Sequence, residues 1–275
     1  MLSYQHAYHA GGAADLHKHL ALATLLAPLA GSGALYLESH AGRGLYDLAT
    51  AEAAKTGEAE TGLGRLASAF PEGPPSGALW DVLLALRARD GPSAYPGSPA
   101  VAASLLRRED RLVLHERHPA EYAALRYARP RLDAFGRGKA GPYVEVSRED
   151  GHEALRSVGP DQRPGVALID PSYEVKEEFA ETAETAARLA EAWPAGVVMV
   201  WYPILPAGRH EAMAEHLSAR LGERCRRHEM SFVDPPARGM RGSGLLLIGL
   251  PRTLEPILLD AWRPCAPILR PSPFR

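Results

Sequence analysis

Asp170-Pro171-Ser172-Tyr173 is the segment of the sequence best shaped for chemistry on an amine. It follows GVALI, an apolar run that reads as a buried strand, so one turn delivers a carboxylate, a rigid proline and an aromatic ring. The carboxylate and the Pro171 carbonyl can accept the two N–H bonds of an exocyclic amino group, and Tyr173 can stack on its ring. The same residues also suit a proline-stiffened turn with Asp170 as a helix cap.

Other strand ends carry weaker signals of the same kind, and ligands of open α/β sheets sit beyond those ends. Glu38-Ser39-His40-Ala41-Gly42-Arg43-Gly44 follows the first apolar run, and Gly42 and Gly44 let backbone approach a ligand. Asp47 stands where a dinucleotide fingerprint needs its third glycine. RLVLHE closes on Glu116, which can accept both hydroxyls of a ribose or simply be solvated. Asp150-Gly151 can offer a carboxylate to an adenine amino group or form an ordinary turn. Asp234-Pro235-Pro236-Ala237 lacks the aromatic residue and reads as a turn.

Several chemistries fail on spacing. There is no G-x-S-x-G elbow, and Ser98 lies in the turn-like Tyr95-Pro96-Gly97-Ser98-Pro99. Gly138-Lys139 lacks the rest of a P-loop. His6, His9, His17 and His19 cluster in sequence without a zinc-site pattern, so no metal is expected.

The elements that must position these residues alternate. Residues 13–29 have helical spacing and are followed by GSG and the strand ALYLES. RLVLHE, YVEVS, GVALID and GVVMVWYP read as further strands separated by helices such as ETAARLAEAW, which predicts a parallel sheet with helices on both faces. CRRHEMSFV and LLLIGL suit an antiparallel pair at the sheet edge. Between the first two strands the rhythm changes to an Ala/Glu/Gly-rich stretch, PEGPPSG and the helical LWDVLLALRA, which reads as a helical insertion.

Composition agrees with one large α/β domain: 275 residues, 46% hydrophobic and 23% charged, exclude a disordered chain or a rod. Two cysteines, Cys225 and Cys265, are too few for a disulfide framework, and neither a signal-peptide pattern nor a long apolar run is present. A cytoplasmic protein without membrane association is expected. A net charge of −2 means that any polyanion site must be local.

Together, a glycine loop, an acidic strand end, Asp-Gly and D-P-x-Y in this order resemble the motifs of AdoMet-dependent amino-methyltransferases. MLSYQHAYHAGGAADLHKH, SHAGRG, YPGSP, LHERHP, DPSY, WYP and RGMRGSG resemble more closely the 23S ribosomal RNA adenine-N6 methyltransferase J family, across nearly the whole chain. The resemblance implies a Rossmann-like class I methyltransferase core at 1–44 and 109–275, interrupted by a helical subdomain at 45–108. It implies AdoMet as cosubstrate, with His19, His40, Gly42, Ser98, Glu116, Asp150, Gly151 and Asp170 around it. Asp170, Pro171 and Tyr173 would carry catalysis, Tyr4 and Tyr173 would contact RNA, and the protein would act as a monomer. The sequence departs at Ser172, where the family has a second proline, and at Glu38, where it has Asp, a change expected to keep the charge. D-P-x-Y also serves enzymes acting on DNA or glutamine, and Ser172 leaves room for a non-catalytic AdoMet-binding protein. For RNA phosphates the candidates are Arg126, Arg129, Arg131, Arg137, Lys139, Arg238 and Arg241, whereas Arg224, Arg226 and Arg227 read as solvent-facing.

Overall fold

The computed structural model describes residues 6–135, 141–159, 161–235, 239–272 and 274–275. Helix α1 (Ala13–Leu26) opens the described fold and leads to β1 (Leu35–Glu38). A ribbon of β2 (Leu45–Asp47) and β3 (Ala94–Pro96) then brackets α2 (Ala51–Thr56), α3 (Arg65–Ala69) and α4 (Ala78–Asp90). Next come α5 (Ser98–Leu105), β4 (Arg111–His115), α6 (Pro119–Asp133), β5 (Tyr143–Ser147), α7 (Gly151–Arg156) and β6 (Gly165–Ile169). The chain finishes with α8 (Glu177–Ala192), β7 (Gly196–Ile204), α9 (His210–Leu221), β8 (Cys225–Phe232), β9 (Gly242–Ile248), α10 (Glu255–Trp262) and β10 (Leu269–Pro271).

Eight strands form one sheet in the order β10-β8-β9-β7-β6-β1-β4-β5. Strands β7, β6, β1, β4 and β5 run parallel, and β9, β8 and β10 continue the sheet antiparallel. The alternating β and α pattern foretold the parallel part of this sheet and the helices that pack on its faces. Because strand side chains alternate, Tyr36 joins the core under α1, whereas Leu35 and Leu37 join the core under α8 and α9. The chain leaves β1 towards β4 and β5 and returns to β6 on its other side. The crevice between the β1 and β6 ends is therefore the switch point where such sheets hold ligands.

Three elements differ from the sequence reading. Strand β10 covers the outer side of β8, so the β8–β9 pair is not the sheet edge. The segment expected to be helical also contains the β2–β3 ribbon, and its Trp80 and Leu83 share a core with Leu16 and Leu20 of α1. Helix α1 is buried almost all round, including Asp15, His17, Lys18 and His19, because α4, α5 and α10 pack on the sides a surface helix would leave wet. No described helix is long and apolar enough to cross a membrane.

Candidate functional site

Two cavities meet at the carboxyl end of β6. The first is lined by His19, His40, Gly42, Ser98, Glu116, Asp150, Gly151 and Asp170, so all eight residues expected around a cofactor reach one space. The second, about 780 Å3, extends over Asp15, Tyr173, Trp201, Phe232 and Met240. That is within the 300–1,000 Å3 range typical of ligand pockets. His6, Lys18, Asp170 and Ser172 line both.

Backbone fixes several key positions of the first cavity. Gly151 opens α7 where a Cβ would lie 1.9 Å from the Ser39 carbonyl oxygen, so no other residue fits without moving β1. Gly42 adopts φ 58°, and a Cβ there would meet the Tyr46 hydroxyl at 2.5 Å. The Gly42 and His118 amides donate to Glu116 at 2.7 Å each, which fixes its carboxylate at the cavity wall. Asp150 caps α7 through the Glu153 amide and pairs with Arg117 at 2.7 Å. Burial opposes its ionisation, yet the Glu153 amide, His152 and Arg117 hold its carboxyl below the usual range.

His19 and His40 are neutral here. Burial pushes both imidazoles down to about 3. His19 Nδ1 lies 3.1 Å from the Tyr95 hydroxyl, and its buried Nε2 has no hydrogen-bond partner among the described residues. Ser98 donates to Glu38, and Tyr36 donates to the same carboxyl at 2.9 Å. Burial pushes Glu38 up to about 8 against these donors, so it is largely protonated at neutral pH. The expectation that Glu38 keeps the charge of the family's aspartate is corrected by that enclosure.

Asp170 and Lys18 form the partition between the cavities. Lys18 Nζ lies 2.5 Å from Asp170 and 3.1 Å from Asp15, and all three side chains are largely buried. Burial would discharge Lys18, but the two carboxylates more than offset it and raise its pKa. Asp15 also meets His6 Nε2 at 3.0 Å. Lys18 and His6 were missed as site residues. The available signal was Asp15 one turn before Lys18 on a helix otherwise too apolar to bury a lone cation.

Tyr173 needs a correction. It is only 5% exposed, with its ring 4.4 Å from that of Phe179 and its hydroxyl donating to the Trp201 carbonyl at 2.7 Å. A φ of 54°, the only positive value at a described non-glycine residue, belongs to this turn. Those contacts hold the ring in the core instead of presenting it as an open stacking platform. Ser172 Oγ sits 3.4 Å from the Glu178 carboxyl oxygens.

The remaining candidates separate. Tyr4, Arg137, Lys139 and Arg238 lie outside the described residues. His9 pairs with Glu58, and His17 with Ser243 and His228, so the four early histidines serve different partners. Arg226 pairs with Glu255, and Arg227 with Glu211 and Glu229, so both are tied down and not simply solvent-facing. Arg131 pairs with Asp90, whereas Arg241 is exposed beside the second cavity. Arg65 of α3 lines that cavity and pairs with Asp234 at 2.5 Å.

Residues 32–265 match the family described as "Ribosomal RNA large subunit methyltransferase D, RlmJ". The chain is 33% identical over 261 residues to "Ribosomal RNA large subunit methyltransferase J" of Haemophilus influenzae, covering 93% of this chain and 89% of the relative. It is 32% identical over 259 residues to the Escherichia coli protein of that name, with the same coverage. A Legionella pneumophila protein of solved structure superposes with a TM-score of 0.81 at 31% identity, covering 97% of this chain and 98% of its own. With its cavity at the switch point of a methyltransferase sheet, this chain belongs to the large-subunit ribosomal RNA methyltransferase J family.

Proposed function

We propose that this protein transfers a methyl group from S-adenosyl-L-methionine to the exocyclic N6 of an adenine in 23S ribosomal RNA. The observation that carries this reading is Asp170, placed in the wall common to two cavities. A two-substrate transfer needs one reactant on each side of such a group.

The first cavity fits the cosubstrate. Glu116 has acceptor capacity left for ribose hydroxyls, Asp150 for an amino group, and the unpartnered Nε2 of His19 can donate to a carboxylate. Gly42 and Gly151 leave room where a side chain would intrude. When bound, AdoMet supplies an electrophilic methyl group on a sulfonium.

The chain's own residues must then prepare the amine. The N6 lone pair of adenine is delocalised into its ring, so nitrogen becomes nucleophilic only when it is held and rehybridised. Asp170 and the Pro171 carbonyl accept its two hydrogens and favour the positive charge developing on nitrogen. Lys18 holds the Asp170 carboxylate in place, and Asp170 takes the amino proton released when the new C–N bond forms and the methyl C–S bond breaks, its electron pair staying on sulfur as a neutral thioether. The base has to leave its stack to reach this wall, and Tyr173 borders the cavity that would receive it. Among the described residues Arg65, which lines the second cavity, and Arg241, next to Met240 in its wall, are the candidates for the phosphates, and residues 45–108 would act as an inserted subdomain that brings Arg65 to the RNA.

The test is methyl transfer from labelled AdoMet to protein-free, unmodified large-subunit ribosomal RNA, followed by nucleoside analysis. N6-methyladenosine formed by the wild type and absent with Asp170→Asn is expected. Label in another nucleoside, or none from protein that binds AdoMet, would overturn the proposal.

A further inference from the structure

Trp201 occupies a position that the amine-methylation motifs do not account for. Ile169 pairs with Val200 across β6 and β7, so Trp201 lies beside Asp170 where β6 ends, while β7 runs on to Ile204 paired with β9. Its indole is half-buried and lines only the second cavity, and Lys18 Nζ lies 5.7 Å from its ring centroid.

The indole is also anchored from behind. Its Nε1–H donates to Ser243 Oγ at 2.8 Å, Ser243 Oγ lies 2.9 Å from His17 Nδ1, and His17 Nε2 lies 3.2 Å from His228 Nδ1. Tryptophan is a donor only, so Ser243 accepts from it and keeps its own hydrogen for His17 Nδ1. His17 Nε2–H is then left to donate to His228. His17, His228 and Ser243 are 0% exposed, and the His228 ring stacks on Trp262 at 4.1 Å. A surface aromatic needs no such support, whereas a ring that must meet a ligand in one orientation does.

We propose that Trp201 is a substrate-contacting residue that supplies the aromatic surface for the target base, with Ser243 and His17 as its positioning residues. The proposal rests on the reading of the second cavity as the site of the base. It assigns to Trp201 the stacking role that the enclosed ring of Tyr173 does not offer.

Intrinsic fluorescence gives a direct readout, because Trp80, Trp193 and Trp262 are at most 2% exposed and only Trp201 can be reached. Protein saturated with S-adenosylhomocysteine, which fills the first cavity, is titrated with adenosine 5′-monophosphate. Saturable quenching in the wild type and none in Trp201→Phe is expected. In turnover assays Trp201→Ala should raise the KM for RNA by about 10-fold or more, the order expected for one lost base–aromatic stack. Ser243→Ala should raise it several-fold without changing AdoMet affinity, and Ser243→Thr should restore it. Equal quenching in Trp201→Phe, or a KM within twofold of wild type in Trp201→Ala, would overturn the assignment while wild-type N6-methyladenosine formation leaves the wider reading intact. A wild type that forms no N6-methyladenosine would overturn both.

Discussion

The cofactor-side cavity takes its walls mainly from residues after β1, β4, β5 and β6, with Lys18 and His19 of α1 and Ser98 of α5, whereas the target-side cavity draws on α1, α3, β7, β8 and the residue before β10. On the first side backbone fixes two of the key positions: amides hold Glu116, and Gly151 packs against the Ser39 carbonyl. On the second side they depend on side chains brought together from distant parts of the chain. A ligand that every member of a fold class shares can be held by the sheet itself. A ligand particular to one family needs additions around it.

That contrast can be broken or sharpened by substitutions. The largest effect is expected for Lys18→Met, which belongs to both sides. It leaves the buried carboxylates of Asp15 and Asp170 facing each other without their cation. Breaking such a buried pair costs about 3–5 kcal/mol, to be read as a fall in the denaturant midpoint, and transfer should be lost with it. A Lys18→Met protein of wild-type stability would show that the partition is not held by this cation.

Gly151→Ala should act on the cofactor side. Relieving the 1.9 Å approach to Ser39 must shift α7 or the end of β1. Overpacking of this kind costs about 1–3 kcal/mol, and AdoMet affinity measured by calorimetry should fall about 10-fold or more. Unchanged affinity would mean that α7 does not position the cofactor.

The buried histidines predict how stability depends on pH. Burial depresses His19 to about 3 and His228 to about 4, below the unfolded value near 6.5. The unfolded chain therefore binds more protons below pH 6.5, so this contribution to stability is complete above 6.5 and is lost as pH falls. At pH 5 each group costs about 2 kcal/mol. Thermal midpoints should drop between pH 7 and 5, and His228→Asn should weaken the dependence. A flat profile would contradict burial of neutral imidazoles.

Arg65→Ala should have the smallest effect and touch only the target side. RNA affinity should fall a few-fold and the salt slope of binding should lose about one unit, with AdoMet affinity unchanged. An unchanged slope would remove Arg65 from the phosphate contacts.

The same contrast explains what the sequence disclosed. Glu116, Asp150, Gly151 and Asp170 each follow a strand, and strand ends can be found from local patterns of apolar residues. Lys18 and Trp201 are positioned by side-chain partners 152 and 42 positions away respectively, and no local period reports that. The protonated state of Glu38 was likewise invisible, because it depends on burial beneath Ser98 and Tyr36. Strand β10 is three residues long and contains Pro271, too short for an alternation to register.

The central claim is that Asp170 serves the reaction between two bound partners without being needed to bind them. The most direct measurement is a single-turnover experiment with Asp170→Asn, run alongside AdoMet and RNA binding to the same protein. The account predicts both dissociation constants within a few-fold of wild type and a methyl-transfer rate lower by about 10³-fold or more. Transfer at a near wild-type rate, or loss of AdoMet binding as the cause of inactivity, would contradict it.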